Sequence, residues 1–433
     1  MADRYSKIGR VYNNFDTFQL KAVLIRNDAG DWGSEPDNNA VGIIRSTNFN
    51  NDGKLDLSDV AYRTLLPQKF AEKKLYANDI LIERSGGSDT QPVGRVGFIT
   101  EAIAKDDYAF ANFIQRISLD DSVDALYVYY CLQQMYEMGI TASMQFQTTG
   151  IRNLDWKYYL KIRLPKPSKA EQIAIANILS KVDEAITSVE NSIAASERLK
   201  KSLMQNLLTG KMKPDGTFRT PDEFYIDEKF GKVPVGWEVK KLKDIANIQR
   251  GKFGHRPRND ERFYNGDYPF VQTSDVVESV LYLRSASQSL NELGASVSKC
   301  FRPNTIIMTI AANIGYVALA SYEVYFPDSL IGINSNEDFI KSTYLLFLLM
   351  RYKNVLDAQA TESAQKNINY SNLRSLPILF PANIEEQIQI TERITKTFNE
   401  IDCKKSKIVV LERVKKSLMQ NLLIGKVRVN NII

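Results

Sequence analysis

The chain has 433 residues, 44% of them hydrophobic and 25% charged, with a formal net charge of +5. That length exceeds one ordinary core and points to two or three domains, and the composition excludes a disordered, collagenous or disulfide-scaffolded chain. The small basic excess, absent from the first third, does not by itself announce nucleic-acid binding, so any DNA binding is expected to be weak without a partner that adds phosphate contacts. A single histidine, His255, and three scattered cysteines, Cys131, Cys300 and Cys403, leave a zinc site almost no ligands and fit a reducing cytoplasm.

The N-terminus, MADRYSKIGRVYNNF, lacks the apolar core of a signal peptide, and no run reaches the length needed to span a bilayer; Tyr344 to Met350 reads as a core segment. The first block, 1–165, carries short β-branched runs between Gly, Asn and Asp turns, followed by YVYYCL from Tyr127, which reads as a buried helix.

Over 166–212 the spacing predicts one long helix. Ser168 is its N-cap, with Glu171 three residues on to close a capping box, and Gly210 is placed for a left-handed C-cap. Ile175, Leu179, Val182, Ile186, Val189, Ile193, Leu203 and Leu207 step by fours and threes, a coiled-coil seam interrupted at Lys200.

Residues 213–233 show neither period and read as a linker. Asp222, Asp227 and Lys229 there superficially suggest a nuclease triad, but the spacing is short and no equivalent occurs elsewhere.

The second block, 234–381, repeats the skeleton of the first. GKFGHRP from Gly251 answers GDWGSEP from Gly30, and FVQTSDV from Phe270 answers IIRSTNF from Ile43. FRPNTIIMT from Phe301 answers LYANDILIE from Leu75, GYV from Gly315 answers GFI from Gly97, and YLLFLL from Tyr344 answers YVYYCL.

A second long helix is predicted over 382–427, from Asn383 and Glu386 to Gly425, with its seam through Ile390, Ile394, Ile401, Ile408, Leu411, Leu418 and Leu422 and its interruption at Lys415. ERLKKSLMQNLLTGK from Glu197 and ERVKKSLMQNLLIGK from Glu412 differ only at Leu199/Val414 and Thr209/Ile424, an internal repeat half a chain apart. Helices of about 40 residues, roughly 60 Å long, are expected to pair antiparallel. The alternative, that each covers only its own domain, leaves too much apolar stripe unused.

VPVGWEVKKLKDIANIQRGK from Val233, NTIIMTI from Asn304, and the helix starts PKPSKAEQIAIANIL and PANIEEQIQITERI resemble the specificity subunits of Type I restriction-modification systems. The resemblance covers nearly the whole chain, although the first half lacks a clear PxGW opening. It implies an α/β (α+β) fold of two target-recognition domains in pseudo-two-fold arrangement, joined by two long antiparallel coiled-coil helices. Each domain would read half of a split double-stranded DNA target, and the helices would fix the gap. It further implies two methyltransferase subunits that bind S-adenosylmethionine and motor-nuclease subunits that use ATP and Mg. Within this chain no phosphate loop, Asn-Pro-Pro-Tyr motif or cofactor turn is found, so no catalytic residue, metal or cofactor is expected in it. A free-standing DNA-binding regulator of the same class is the alternative; a self-contained enzyme or a coiled-coil scaffold fits the residues less well.

Direct readout needs Arg or Lys for guanine, Asn or Gln for adenine, and adaptable hydroxyls. In the first domain the candidates are Arg45, Ser46, Thr47 and Asn48, then Arg84 and Ser85, then Gln145, Gln147, Thr148 and Thr149. In the second they are Lys252, His255, Arg256 and Arg258, then Gln272, Thr273 and Ser274, then Asn313, and Gln365, Lys366 and Asn367. Surface solvation would account for any one of these; their recurrence at equivalent places points to a reading face.

Overall fold

The computed structural model describes residues 5–13, 15–88, 90–148, 150–228, 230–311, 313–359 and 370–429. The chain divides into two compact units, one of residues 1–190 with 406–433 and one of residues 191–405.

The first unit is built on strands β1 (Leu24–Ala29), β2 (Val41–Ile44), β3 (Ala61–Arg63), β4 (Ile80–Glu83), β5 (Val96–Phe98), β6 (Tyr108–Phe110) and β7 (Ile114–Leu119). One antiparallel sheet runs β1-β7-β4-β5, and a second runs β6-β2-β3 with β6 parallel to β2. On β4, Ile80 and Ile82 pack towards the helix Ala125–Glu137, and Leu81 packs with Ile44 and Phe110 of the other sheet and with Ile114 of β7. Covering both faces explains why this strand reads as an unbroken apolar run rather than an alternation.

The second unit repeats the plan with β8 (Ala246–Arg250), β9 (Tyr264–Phe270), β10 (Gln288–Leu290), β11 (Cys300–Phe301), β12 (Ile306–Thr309), β13 (Val317–Leu319), β14 (Val324–Tyr325) and β15 (Leu330–Ser335). Its sheets run β8-β15-β12-β13 and β10-β9-β14-β11, again with one parallel pair, β9 and β14. Ile306 and Met308 face the helix Ser342–Gln359, and Ile307 faces Phe301 and Phe326.

The equivalence extends to single atoms. A Cβ on Gly30 would lie 2.0 Å from the Phe110 carbonyl oxygen and one on Gly251 would lie 2.3 Å from that of Pro327, so both motifs need glycine for close backbone approach. Asp31 N–H donates to Phe110 O at 2.9 Å, and Lys252 N–H to Phe326 O at 3.0 Å. Asn78 and Asn304 both take left-handed φ, 72° and 65°, a conformation asparagine tolerates.

The long helices span Lys169–Leu207 and Ile384–Leu422, 39 residues each. In the first unit Asp183 of the central helix meets Lys415 of the C-terminal one at 2.7 Å, and Glu171, further back along the central helix, meets Arg428, beyond the C-terminal one. In the second unit Ser196 meets Lys404 and, further along, Lys200 lies over the ring of Phe398. Within each unit the helical segments therefore run antiparallel. The seam interruptions are filled by charge: Lys415 is 8% exposed and held by Asp183, and Lys200 pairs with Glu197.

Both helix starts depart from the expected capping box. Ser168 Oγ accepts from Glu171 N–H, and Asn383 Oδ1 from Glu385 N–H, as N-caps should. The acids do not reach back. Both carboxylate oxygens of Glu171 take Arg428, at 2.6 and 2.7 Å, while Glu386 takes Arg219 at 2.5 Å and the Trp237 indole at 3.2 Å. The neighbouring glutamines, both fully buried, are the real anchors. Gln172 Oε1 accepts from Asp124 N–H and Gln387 Oε1 from Lys341 N–H, in each case just ahead of the domain's buried helix.

Two sequence readings are corrected. In the 213–233 segment and just beyond it, Phe224–Asp227 and Gly231–Pro234 form an antiparallel pair of strands behind a turn in which Glu223 caps Thr220. The missing PxGW opening has a counterpart as well. Trp237 packs on the C-cap Gly210 and Phe15 on the C-cap Gly425, with Arg219 and Arg428 over the respective rings. A phenylalanine fills the tryptophan's place without its tell-tale letters.

Candidate nucleic-acid interface

In the first unit the three candidate clusters converge. Ser46–Asn48 is a single turn of 3-10 helix entered from β2, Arg84 and Ser85 follow β4, and the hairpin Gln145–Thr148/Ile151–Leu154 pairs with Ser85–Gly86. Ser85 Oγ donates to Asn153 Oδ1 at 2.6 Å, joining the second cluster to the third. Arg95 joins the first to the second: Nε and Nη2 take the two carboxylate oxygens of Glu83 at 2.8 and 2.7 Å, Nη1 donates to Phe49 O at 2.5 Å, and Nη2 to Ser46 O at 3.0 Å. Glu83 is fully buried and Arg95 nearly so.

The candidates do not all face outward. Asn48 is 2% exposed; its Oδ1 accepts from Arg45 N–H, and its Nδ2 donates to Asp56 O and Asp59 O. This residue holds the turn and offers no group to a base edge. Ser85 is 8% exposed and bonded to Asn153, so it also supports rather than reads. Gln145 is bonded locally, accepting from Val93 N–H and donating to Ala142 O. Thr47, Arg84 and Gln147 are exposed, and Arg45 reaches Asp59 at 3.1 Å on the surface. The Ser46 hydroxyl is buried and has no partner among the described residues. Thr148 lies in its hairpin strand; its side chain, and the whole of Thr149, lie outside the described residues.

In the second unit the basic loop after β8 is braced from within. His255 Nε2 lies 3.0 Å from Asp260 Oδ2 and its ring stacks on Phe263, 4.2 Å between centroids. The Arg262 guanidinium beside Asp260 holds that carboxyl well below the usual carboxylate range, so it stays anionic at neutral pH. Histidine is therefore a brace for the loop as much as a surface group. Arg256 donates to the Phe253 and His255 carbonyls, and both Arg256 and Arg258 converge on Asp328. Lys252 is exposed.

Gln272 repeats the role of Arg45: its N–H donates to Asp275 Oδ2 at 2.7 Å, the counterpart of Arg45 N–H to Asn48. Its side chain donates to Gln288 Oε1, Thr273 is half-buried and Ser274 exposed. A cavity of about 340 Å³ is lined by Arg258, Tyr264, Gln272 and Gln288, which places two candidate clusters on one concave face. Asn313 is exposed in the separate turn between β12 and β13. Gln365, Lys366 and Asn367 lie outside the described residues, as does Lys229 of the acidic decoy. Among the described residues no group of three or more His, Cys, Asp or Glu side chains is arranged to hold a metal, and no helix is long and apolar enough to cross a membrane.

Sequence reasoning missed Glu83 and Arg95. A signal was present: a glutamate closing the apolar run Ile80-Leu81-Ile82 needs a charged partner if the strand is buried on both faces.

Two mixed sheet-and-helix domains, each followed by a capped long helix and each carrying polar side chains after β2/β9 and β4/β12, define a duplicated protein. The family model for the Type I restriction modification DNA specificity domain matches residues 19–197 and 234–413. The chain belongs to that family. It is 22% identical to the putative type I restriction enzyme MjaX specificity subunit of Methanocaldococcus jannaschii, over 98% of this chain and 96% of that one. With the MjaVIII specificity subunit of the same organism it shares 28% identity over 72% of each. In fold it is similar to the crystal structure of a Type-I restriction-modification system S subunit from M. genitalium, with a TM-score of 0.57, 15% identity, and 97% and 99% of the two chains covered. A chain from a structure of type I R-M complex assembly and conformational transition gives a TM-score of 0.53 at 13% identity, covering 96% of this chain and 99% of that one.

Proposed function

We propose that this chain reads a bipartite double-stranded DNA sequence, one half through each recognition domain, and directs partner subunits to it. The observation that carries the reading is the duplication itself: the same loops, after β2/β9 and after β4/β12, hold candidate polar side chains on twin scaffolds, as a split target requires. The long helices act as the spacer. The chain has no catalytic role: two methyltransferase subunits supply S-adenosylmethionine chemistry on adenine, and motor-nuclease subunits supply ATP- and Mg-dependent cleavage, all in the cytoplasm. Arg84, Gln147 and Thr47 in the first domain and Arg256, Arg258, Gln272 and Ser274 in the second are the strongest base or phosphate contacts, because their side chains are exposed or line the concave face.

The test is to purify the chain with its candidate methyltransferase and to map methylated adenine genome-wide in cells with and without the chain. A split motif that depends on the chain is expected. A stable complex that leaves no methylation would favour a regulatory relative, and no complex would remove the restriction-modification role. Inserting whole turns into a long helix should change the gap of the motif and leave its letters alone; altered letters with the same gap would overturn the spacer role.

A further inference from the structure

We propose that Glu83 and Arg95 form a positioning device that sets the shape of the first domain's recognition loop, and with it the discrimination of one half-site. The proposal rests on the DNA-reading role above.

The residues on either side of the pair explain why. Arg95 stands at the start of β5 and Glu83 at the end of β4, and their backbones are already tied, Glu83 N–H to Arg95 O at 2.8 Å and Gly94 N–H to Glu83 O at 3.0 Å. The guanidinium is thus delivered from the rigid sheet with both faces of its fork in use. One edge grips both Glu83 oxygens, and the remaining N–H groups reach out to the carbonyls of Ser46 and Phe49, the two ends of the 3-10 turn that carries Ser46 and Thr47. A planar, five-donor group can do this; a lysine, with one nitrogen, cannot. The pair also sits against the next cluster. Gly86, two residues past Arg84, would place a Cβ 3.4 Å from Glu83 Oε1 and 3.9 Å from Ser46 Oγ, so the Arg84–Gly87 turn and the Ser46 turn close on the same carboxylate.

Among the described residues the second domain shows no equivalent pair. Thr309 stands at the end of β12 as Glu83 does at the end of β4, and its hydroxyl donates to Asn313 O and accepts from Tyr316 N–H, closing only its own β12–β13 turn. The matching helix start at Gln272 is held by Asp275 without an arginine. A buried ion pair is a poor source of stability compared with apolar packing, so its retention in one domain and not the other points to a geometric role there. Arg95 and Glu83 are positioning residues: they touch the loop, not the DNA.

The experiment uses the full chain in complex with its methyltransferase and, as probes, duplexes carrying the motif found for the unmodified complex with single base changes in either half. For Glu83→Gln and Arg95→Lys, discrimination at one half-site is expected to fall at least tenfold, with the other half-site changed less than twofold. Keeping the charge on a shorter side chain, as in Glu83→Asp, should preserve part of it. A purely structural role would lower the melting temperature and leave half-site discrimination intact, and that result would overturn the proposal, as would equal relaxation at both halves. If Glu83→Gln fails to fold, the milder Arg95→Lys decides alone. An unmodified complex that yields no split motif would sink the reading beneath the proposal, which is a different result from unchanged discrimination in the variants.

Discussion

The first recognition domain ties its reading turn to the sheet with a buried glutamate–arginine pair, whereas the second closes the corresponding strand end with a threonine hydroxyl and braces its basic loop at the surface through His255, Asp260 and Asp328. Around these differences the four-stranded sheet packed on the buried helix, the parallel strand pair of the other sheet, the glycine approaches, the left-handed asparagines and the helix anchors recur. The contrast shows what a duplicated scaffold fixes and what it leaves open. The backbone contacts at Gly30/Gly251 and Asp31/Lys252 are repeated, and the groups that shape each loop differ.

The largest expected asymmetry is at the loop ties. Arg95→Ala should destabilise the first unit by about 3–5 kcal/mol, because it strands a fully buried carboxylate. Thr309→Ala, which removes a neutral hydroxyl, should cost the second unit about 1–3 kcal/mol. Cys131 reports on the first unit, since burial pushes its thiol up to about 12 and keeps it unreactive until that unit opens, while Cys300 and Cys403 in the second are exposed. Timed alkylation during urea denaturation would therefore resolve the two units.

The shared features should respond equally in both units. Gly30→Ala and Gly251→Ala each force a methyl group into a carbonyl oxygen and should cost about 1–3 kcal/mol or more, measured by the same denaturation. Gln172→Ala and Gln387→Ala each leave a backbone N–H unpaired at a helix start, about 1–3 kcal/mol apiece. Unequal losses would break the atom-level equivalence.

The smallest effect separates two matching tyrosines. Tyr127 donates to the Leu423 carbonyl at 3.1 Å, so Tyr127→Phe should cost about 0.5–1.5 kcal/mol in melting experiments. Tyr344 is buried and its hydroxyl has no partner among the described residues, so Tyr344→Phe should cost nothing or stabilise.

Much of this was legible from the letters. The repeat, the helix spans, their antiparallel pairing and the matching strand runs follow from periodicity and caps that act locally. What was not legible depended on distant partners. Glu171 and Glu386 look like capping-box acids, yet an arginine some distance along the chain in each unit claims them. Asn48 has the chemistry of an adenine reader, and only the course of the 50–59 loop shows its amide enclosed. The strand pair at 224–234 is too short and too charged to carry a strand period, and Phe15 stands in for a tryptophan because an aromatic face over a C-cap glycine is what the site requires.

The central claim is that each domain reads its own half of one target. The most direct measurement is methylated-adenine mapping with Arg84→Ala in one culture and Arg256→Ala with Arg258→Ala in another. The account predicts that each variant relaxes a different half of the split motif, by the roughly 1–3 kcal/mol of a lost base contact, and leaves the other half intact. Relaxation of the same half by both, or of both halves by either, would contradict it.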